Sequence, residues 1–374
     1  MAKARKADVL DLLSRGDGLL KLAPTFVHRF YPDLDRLGQR KLKRSPRQFI
    51  PERWIGSSVE AVNPPPIPSG GLSMVAGTKE PLALRNAIRA APAELLGDRV
   101  AAAHGPELRV LVKILDPGEP IVFHLHATDE QVRKMPRNFR GHRFGKDEAY
   151  YFLDGPPKGP MPYTHVGLYP GVTRRELVEA VRKGRDHALE LSPVIYQEYE
   201  TGFFAPAGIP HRPGTALTLE IQQPSDVYTL LETHSGGKPM SPAQIHPGFK
   251  SLDEAFGLID LTVSEQVGRL EQNRLVPTPV DGQLARGGNE IAWVFPPEIC
   301  RKFAGKRLRV SSRVSYIEAS PLVLWVWRGR GTINGRACRA GDEFFVSAVA
   351  ASGGIEVING GDERLELFAF MPVV

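Results

Sequence analysis

Cysteine is scarce in this chain, and long apolar runs are missing. Among 374 residues only Cys300 and Cys338 are cysteines, which excludes a disulfide framework and a cysteine-rich zinc site. We therefore expect a reducing, cytoplasmic location. No stretch of about 18 consecutive apolar residues occurs, so no transmembrane helix and no membrane partner are predicted. The charged start, Met1-Ala-Lys-Ala-Arg-Lys, has no apolar segment behind it, which argues against a secretory signal.

The excess of basic residues is small, with a formal net charge of +6. The densest basic cluster, Arg40-Lys41-Leu42-Lys43-Arg44, lacks the interleaved aromatic residues of a nucleic-acid surface. We interpret it as a solvated turn and expect no nucleic-acid partner. The charge suits an anionic small substrate equally well, and no feature of the sequence indicates an oligomeric state.

Short apolar segments separated by turn residues dominate the pattern, in keeping with 37 Gly and 33 Pro. They predict a mainly β protein with two jelly-roll barrels and a small helical segment. One series of predicted strands starts at Leu108 and ends near Leu231, and the second follows Glu290. Thr173 and Glu176 form a capping box that predicts a helix over 173–183, which interrupts the first series.

These segments divide the chain into four predicted regions. Residues 1–107 form an N-terminal extension of helices, loops and some strands that packs on the first barrel, with residues 51–71 read as a loop. Residues 108–240 form a metal-binding jelly roll. Residues 241–288 form a helical segment and connector, and residues 289–374 form a second jelly roll without a metal site, since no histidine follows His246.

Three histidines and one glutamate stand out. His124-Leu-His126 lies on a predicted strand, where a period of two places both rings on the same face. Glu148 begins a later strand, and His211 follows the turn Pro206-Ala-Gly-Ile-Pro. A single histidine on an apolar strand is more often a core residue, but this combination favours a divalent metal site with open positions for substrate.

The same residues carry a family resemblance. His-x-His and Pro-x-Gly-x-x-His resemble the two cupin motifs, and further motifs follow in order: Leu-Val-Lys-Ile-Leu-Asp, Gly-Lys-Asp-Glu, Phe-Ala-Pro-Ala-Gly-Ile-Pro-His and Leu-Glu-Ile-Gln-Gln-Pro-Ser-Asp-Val. This succession, over residues 108–232, resembles the type I mannose-6-phosphate isomerases. The resemblance implies a metal-dependent aldose–ketose isomerase of the cupin superfamily, acting on a sugar or sugar phosphate.

The resemblance also implies the ligand set His124, His126, Glu148 and His211. His124 stands where the family commonly has Gln. The metal expected is Zn²⁺, but three histidines and one glutamate also suit Fe²⁺, Mn²⁺, Ni²⁺ or Co²⁺. Glu130 is a rival ligand by general cupin spacing, and we prefer Glu148 because it occurs in Gly-Lys-x-Glu.

Three further residues are candidates for catalysis. Lys146 lies two residues before Glu148 and so shares its strand face, where burial would lower its pKa and let it move a proton. A surface lysine in a hairpin is the alternative. Glu220 and Asp226 match family positions; Glu220 could hydrogen-bond substrate or act as a base, and Asp226 could instead cap a turn.

One family residue is replaced. An arginine usually follows that aspartate by four positions, and here the position holds Leu230. Arg53, Arg143 and Arg212 are therefore candidate substrate ligands, together with Arg140, because guanidinium binds phosphate in a bidentate manner.

The leading hypothesis is an isomerase that moves a proton between C1 and C2 of a hexose phosphate such as mannose 6-phosphate or fructose 6-phosphate. Two alternatives remain: a cupin oxygenase with Fe²⁺, and a non-catalytic or free-sugar-binding cupin in which Leu230 marks lost catalysis.

Overall fold

The computed structural model describes residues 4–45, 48–63, 67–139, 142–184, 187–235, 238–264, 273–280 and 288–374. The predicted substrate ligand Arg140 lies outside these residues. The chain divides into two compact units. We call Phe26–Glu52 with Ile114–Val276 the central unit, and Met1–Thr25 with Arg53–Lys113 and Pro277–Val374 the C-terminal unit.

Helices are short throughout. The α-helices are Lys6–Arg15 (α1), Leu84–Ala90 (α2), Pro92–Leu96 (α3), Asp98–His104 (α4), Asp129–Lys134 (α5), Arg174–Lys183 (α6), Pro242–Ile245 (α7), Leu252–Ala255 (α8), Leu261–Ser264 (α9), Pro297–Cys300 (α10) and Ala348–Gly353 (α11). Three 3-10 helices cover Gln39–Leu42, Leu189–Leu191 and Phe256–Leu258. None of the helices in the described part of the chain has the length and apolarity needed to cross a membrane.

Strands account for most of the regular structure. Those of the first half are Leu19–Ala23 (β1), Thr25–Val27 (β2), Glu52–Ile55 (β3), Met74–Val75 (β4), Leu111–Leu115 (β5), His124–Leu125 (β6), Glu148–Phe152 (β7), Tyr163–Val166 (β8), Val194–Tyr196 (β9), Gly202–Ala205 (β10), His211–Arg212 (β11), Thr218–Gln222 (β12) and Thr229–Leu230 (β13). Those of the second half are His234–Ser235 (β14), Lys238–Pro239 (β15), Arg274–Leu275 (β16), Thr278–Pro279 (β17), Glu290–Phe295 (β18), Phe303–Val310 (β19), Arg313–Tyr316 (β20), Leu322–Arg328 (β21), Arg330–Ile333 (β22), Arg336–Arg339 (β23), Glu343–Val346 (β24), Ile355–Asn359 (β25) and Leu365–Pro372 (β26).

The central unit contains two antiparallel layers. One is a sheet with the order β13-β6-β11-β8-β9, and the other includes the consecutive neighbours β16-β10-β7-β12. Every residue of β7 and β12 is buried. Apolar side chains such as Tyr150, Phe152 and Phe203 fill one core cluster of this unit. Strands buried on both faces read as nearly continuous apolar runs, so the charged residues within them stand out.

Helices cover the outer side of β6. Leu125 packs there with Val132 of α5 and Leu177 of α6, as expected from its alternation with the flanking histidines. Helix α6 begins after Thr173, and its capping box with Glu176 is formed as predicted.

The C-terminal unit is built around an eight-stranded sheet with the order β17-β18-β19-β26-β21-β24-β1-β4 and a four-stranded sheet β20-β25-β22-β23. Its core is a cluster of apolar residues that includes Leu324, Phe344 and Leu367. The mainly β, cupin-like fold class is confirmed. The division of residues 1–107 differs from the predicted region, because β1 and β4 belong to the sheet of the C-terminal strands. The predicted loop over 51–71 also contains a strand, β3, whose four residues are all buried.

Candidate metal centre

Three histidine rings meet inside the central unit. Strands β6 and β11 pair so that His211 stands directly opposite His124, and His126 lies two residues further along the chain. The ring centroids of His124 lie 4.8 Å from those of His126 and 4.3 Å from those of His211. All three side chains are buried.

Backbone carbonyl groups fix the orientation of these rings. A carbonyl oxygen can only accept a hydrogen bond, so each Nδ1 that bonds to one carries the proton and each Nε2 presents a lone pair. Such outer contacts orient the histidines of metal sites. The carbonyl partners are Val122 for His124 at 2.6 Å, Val227 for His126 at 2.7 Å and Ile209 for His211 at 2.9 Å.

Two of the rings, those of His124 and His126, are held in their neutral form. Burial, together with the neighbouring His211 and His126, keeps the pKa of His124 well below its usual range. Burial and the ammonium group of Lys146 lower the pKa of His126 to about 3. Neutral imidazole is the form that binds a metal ion.

Glu148 completes the cluster. Its Oε1 lies 2.6 Å from His211 Nε2, and its Oε2 lies 3.3 Å from His126 Nε2. One potential ligand atom from each of His124, His126, Glu148 and His211 lies within 4.8 Å of the other three. Ligands bound about 2.1 Å from one ion lie at most about 4.2 Å apart, so a small contraction brings the four atoms around a single ion.

The contact between His211 and Glu148 indicates whether the four clustered residues suit a cation. With Nδ1 protonated, both His211 Nε2 and the carboxylate oxygen are acceptors. His211 Nε2 is buried and has no hydrogen-bond partner among the described residues. Two buried acceptors that face each other repel unless a positive charge stands between them. The donor set therefore fits a divalent cation.

Two glycines allow the chain segments to approach. Gly208 adopts a φ of +90° in the turn before His211, a conformation that favours glycine, and its N–H donates to the His126 carbonyl at 2.8 Å. A Cβ at Gly145 would lie 2.4 Å from the Ala127 carbonyl oxygen. The absence of a side chain there lets the Lys146 N–H bond the same carbonyl at 3.0 Å.

Lys146 and Glu220 lie beside the cluster. Lys146 Nζ is 2.7 Å from Glu148 Oε2 and 3.6 Å from Glu220 Oε1. Burial alone would lower the pKa of Lys146. The carboxylates of Glu148 and Glu220 together have the larger effect, so the pKa of Lys146 is raised. This direction is opposite to the one expected from burial alone. Lys146 therefore keeps its proton and acts as a hydrogen-bond donor in this arrangement.

Tyr150 also contacts the cluster, and the sequence analysis missed it. It lies two residues after Glu148 on β7, and its hydroxyl donates to Glu148 Oε1. Burial and the charge of Glu148 raise its pKa well above the usual range, so it remains a donor. The period of two along Lys146, Glu148 and Tyr150 was the signal that could have found it.

Asp226 is the third predicted catalytic residue, and its carboxylate is occupied by a guanidinium. Arg29 Nη2 lies 3.1 Å from both oxygens of Asp226, and Arg29 Nε donates to Glu52 Oε1 at 2.9 Å. Arg29 was not predicted, because it is far along the chain from every motif. Asp226 contributes to the raised pKa of Lys146.

The predicted substrate-binding arginines Arg53, Arg212 and Arg143 differ in their partners and in their exposure. Arg53 belongs to the C-terminal unit, where its Nη2 lies 3.2 Å from Glu343 Oε1. Arg212 Nε lies 2.9 Å from Glu232 Oε1, and alternation along β11 directs it away from the face of His211. Arg143 is exposed, with its guanidinium over the ring of Phe144.

Two other residues that the sequence analysis discussed are Glu130 and Leu230. Glu130, the rival ligand, is exposed on α5 and pairs with Lys134, as expected for a solvated helix residue. Leu230 lies directly opposite His124 and packs in an apolar cluster with Val122 and Ile245.

Comparison with solved structures identifies the fold. The chain is similar to the mannose 6-phosphate isomerase from Bacillus subtilis, with a TM-score of 0.70 and 19% sequence identity over 94% of this chain and 99% of that one. A variant of the phosphomannose isomerase from Salmonella typhimurium matches with a TM-score of 0.65 and 14% identity over 96% and 100% of the two chains. No family model and no curated protein matches the sequence. At these identities the likeness shows a shared fold.

Proposed function

We propose that the chain is a metal-dependent aldose–ketose isomerase that acts on a hexose phosphate such as mannose 6-phosphate or fructose 6-phosphate. The observation that carries this proposal is the buried group of His124, His126, Glu148 and His211 with Lys146 against it. The likeness of the fold to mannose 6-phosphate isomerases supports the choice of reaction.

The four clustered residues would hold one divalent ion. Zn²⁺ is our first choice, and Fe²⁺, Mn²⁺, Ni²⁺ and Co²⁺ are alternatives that the same donors accept. Such an ion, when bound, polarises the hydroxyl and carbonyl oxygens of a sugar.

Lys146 and Glu220 are the proposed acid and base. Glu220 would accept the proton from C2 of the aldose, and the Lys146 ammonium would protonate O1, which gives an enediol. Return of the carbon-bound proton from Glu220 to C1, with transfer of the O2 proton to Lys146, completes the ketose. The separation of 3.6 Å between Lys146 Nζ and Glu220 Oε1 supports this pairing, because two groups so close together can reach adjacent atoms of one substrate.

The phosphate needs a cation at the edge of the site. Among the predicted substrate ligands, Arg143 fits best, since its side chain is exposed and it precedes Lys146 by three residues. Arg212 is engaged by Glu232 and directed to the other face.

Interconversion of sugars by metal-stripped and reloaded protein tests the proposal. The substrates are mannose 6-phosphate, fructose 6-phosphate and the free sugars mannose, lyxose and fructose, followed by NMR in D₂O. We expect metal-dependent interconversion of at least one pair, with deuterium at the receiving carbon in the fraction of turnovers in which the Glu220 carboxyl exchanges with D₂O before the return transfer. No interconversion of any of them would reject the isomerase.

Measurements of saccharide binding, iron content and oxygen uptake on the same protein distinguish the isomerase from two other functions. Tight saccharide binding with the sugar recovered unchanged and undeuterated would indicate the binding protein, which the apolar surroundings of Leu230 favour. Iron content with oxygen uptake would indicate an oxygenase, which the three-histidine, one-glutamate donor set favours.

A further inference from the structure

Arg29 connects the N-terminal part of the central unit to the proposed acid–base pair. It follows β2, and its side chain is 8% exposed. It contacts two carboxylates at once: Nη2 spans both oxygens of Asp226, which lies 197 residues later in the sequence, and Nε donates to Glu52. Hydrogen bonds between a guanidinium and a carboxylate are strengthened by the two charges, and contacts with two carboxylates fix the Arg29 side chain in one geometry.

A second residue of the same segment strengthens this arrangement. The hydroxyl of Tyr31 donates to Glu52 Oε1 at 2.7 Å, the oxygen that also accepts from Arg29. Tyr31 has a raised pKa because of burial and Glu52, with Glu220 as a smaller contribution. Arg29, Tyr31, Glu52 and Asp226 therefore form one buried network. Its member Glu52 lies on β3, a strand of the same sheet as β12 with Glu220 and β7 with Glu148.

The network makes Asp226 an unsuitable base and a suitable anchor. Both oxygens of Asp226 already accept from the Arg29 guanidinium, so the carboxylate is not directed toward a substrate proton. Its fixed negative charge instead favours one position of the Lys146 ammonium group. No cation comes from the position four residues after Asp226, where Leu230 packs among apolar side chains.

We infer that Arg29 is a positioning residue of the proposed isomerase: it fixes Asp226 and Glu52 so that Lys146 and Glu220 are held in register with the substrate carbon atoms. This inference rests on the proposed function. Arg29 acts through its carboxylate partners, so its loss lowers kcat more than it changes KM.

The experiment compares Arg29→Lys, Arg29→Met, Asp226→Asn and the double variant Arg29→Met with Asp226→Asn. Arg36 offers a matched control. It makes a buried pair with Asp116, at 2.5 Å, in the same unit and sequence segment, and Arg36→Met removes a comparable ion pair. Each variant is assayed as zinc-loaded full-length protein for zinc content, thermal midpoint, kcat and KM.

We expect Arg29→Met to lose about 100-fold in kcat, with KM changed by less than about 3-fold, and Arg29→Lys to recover part of the loss. The double variant should be more active than Arg29→Met, because it removes one of the two buried carboxylates that Arg29→Met leaves without a guanidinium. Arg36→Met should lower the thermal midpoint and leave kcat unchanged. Should Arg29→Met fail to fold, Asp226→Asn provides the same readout, with an expected loss of about 10-fold in kcat.

Two results would overturn the inference in distinguishable ways. Folded, zinc-replete Arg29 variants with wild-type kcat would show that Arg29 is a structural residue only, while the isomerase itself stands. A wild-type protein that interconverts none of the sugars would remove the proposed function and the inference together.

Discussion

The central and C-terminal units are both built from antiparallel strands, but the residues buried along those strands differ in their chemistry. Along β21, the residues that face the core of the C-terminal unit are Leu322, Leu324 and Val326. Along β7 in the central unit, Glu148 and Tyr150 occupy the corresponding alternate positions. Burial of charged groups opposes folding unless they are paired. The apolar positions of β21 therefore stabilise the C-terminal unit, whereas the alternate positions of β7 carry polar groups that can react.

The ion pairs of a buried lysine also differ between the two units. In the C-terminal unit, the buried Lys306 pairs with the carboxylate of Glu318 at 2.6 Å. In the central unit, Lys146 lies between two carboxylates and an imidazole. A shared cation can change partners as a proton moves, whereas a simple pair has no such alternative.

The largest expected effect is that of Glu148→Gln. Loss of the only anionic ligand among the four should reduce both zinc affinity and isomerase activity, the latter by at least about 1,000-fold. Competition with a chromogenic chelator and the sugar assay measure the two quantities. Glu130→Gln, at an exposed carboxylate, is the control and should leave both unchanged. Equal effects of the two substitutions would contradict the assigned ligand set.

A cavity in the apolar core of the C-terminal unit should lower stability and leave zinc binding unchanged. Leu324→Ala is expected to lower the free energy of unfolding by about 2–5 kcal/mol, because Leu324 is fully buried. The zinc affinity of the folded protein should not change. Denaturant titration and chelator competition at low temperature test this, and a large change in zinc affinity would contradict the functional division between the units.

Tyr150→Phe should have a smaller effect, confined to the metal centre. Loss of the hydroxyl that donates to Glu148 is expected to weaken zinc binding by about 10–100-fold, as is usual for outer contacts of metal ligands. Tyr151→Phe is the matched control, since Tyr151 is equally buried and alternation directs it to the other face of β7. Identical zinc affinities for the wild type and Tyr150→Phe would disprove this role.

The smallest effect concerns pH and the C-terminal unit. Burial raises the pKa of Glu343 from 4.5 to about 7, with Asp342 acting in the same direction and Arg53 and the Gly56 N–H against it. The folded state therefore favours protonated Glu343. Its contribution to stability is complete below pH 4.5 and is lost as the pH rises through 7.

Glu343→Gln removes this dependence. The thermal midpoint of the wild type should fall by a few degrees more than that of the variant between pH 5 and pH 8. Parallel curves for the two proteins over this range would show that Glu343 titrates at its ordinary pKa.

Local patterns were sufficient to predict part of the site. The period of two placed His124 and His126 on one face, and the Pro-x-Gly turn brought His211 to them, because both features act within a few residues. Arg29 could not be found in this way. Its partner Asp226 is remote in sequence, and only the folded chain brings them together.

The extent of the strands was also harder to predict than their existence. β6 covers only His124–Leu125, although the alternating pattern extends further on both sides. The carbonyl of His126 accepts from Gly208 in a turn rather than from a neighbouring strand, so the ladder ends there. Likewise β1 resembles any short apolar strand, and nothing local in its sequence indicates that it pairs with β24.

The carbonyl groups that orient the three imidazoles belong to the main chain at Val122, Ile209 and Val227. Mutation of those residues changes their side chains and leaves the acceptors in place. Substitutions at these three positions therefore leave the ring orientations unchanged. A chain that shares only 14% of its residues with a protein of the same fold can accumulate such substitutions and still present the same three carbonyl groups.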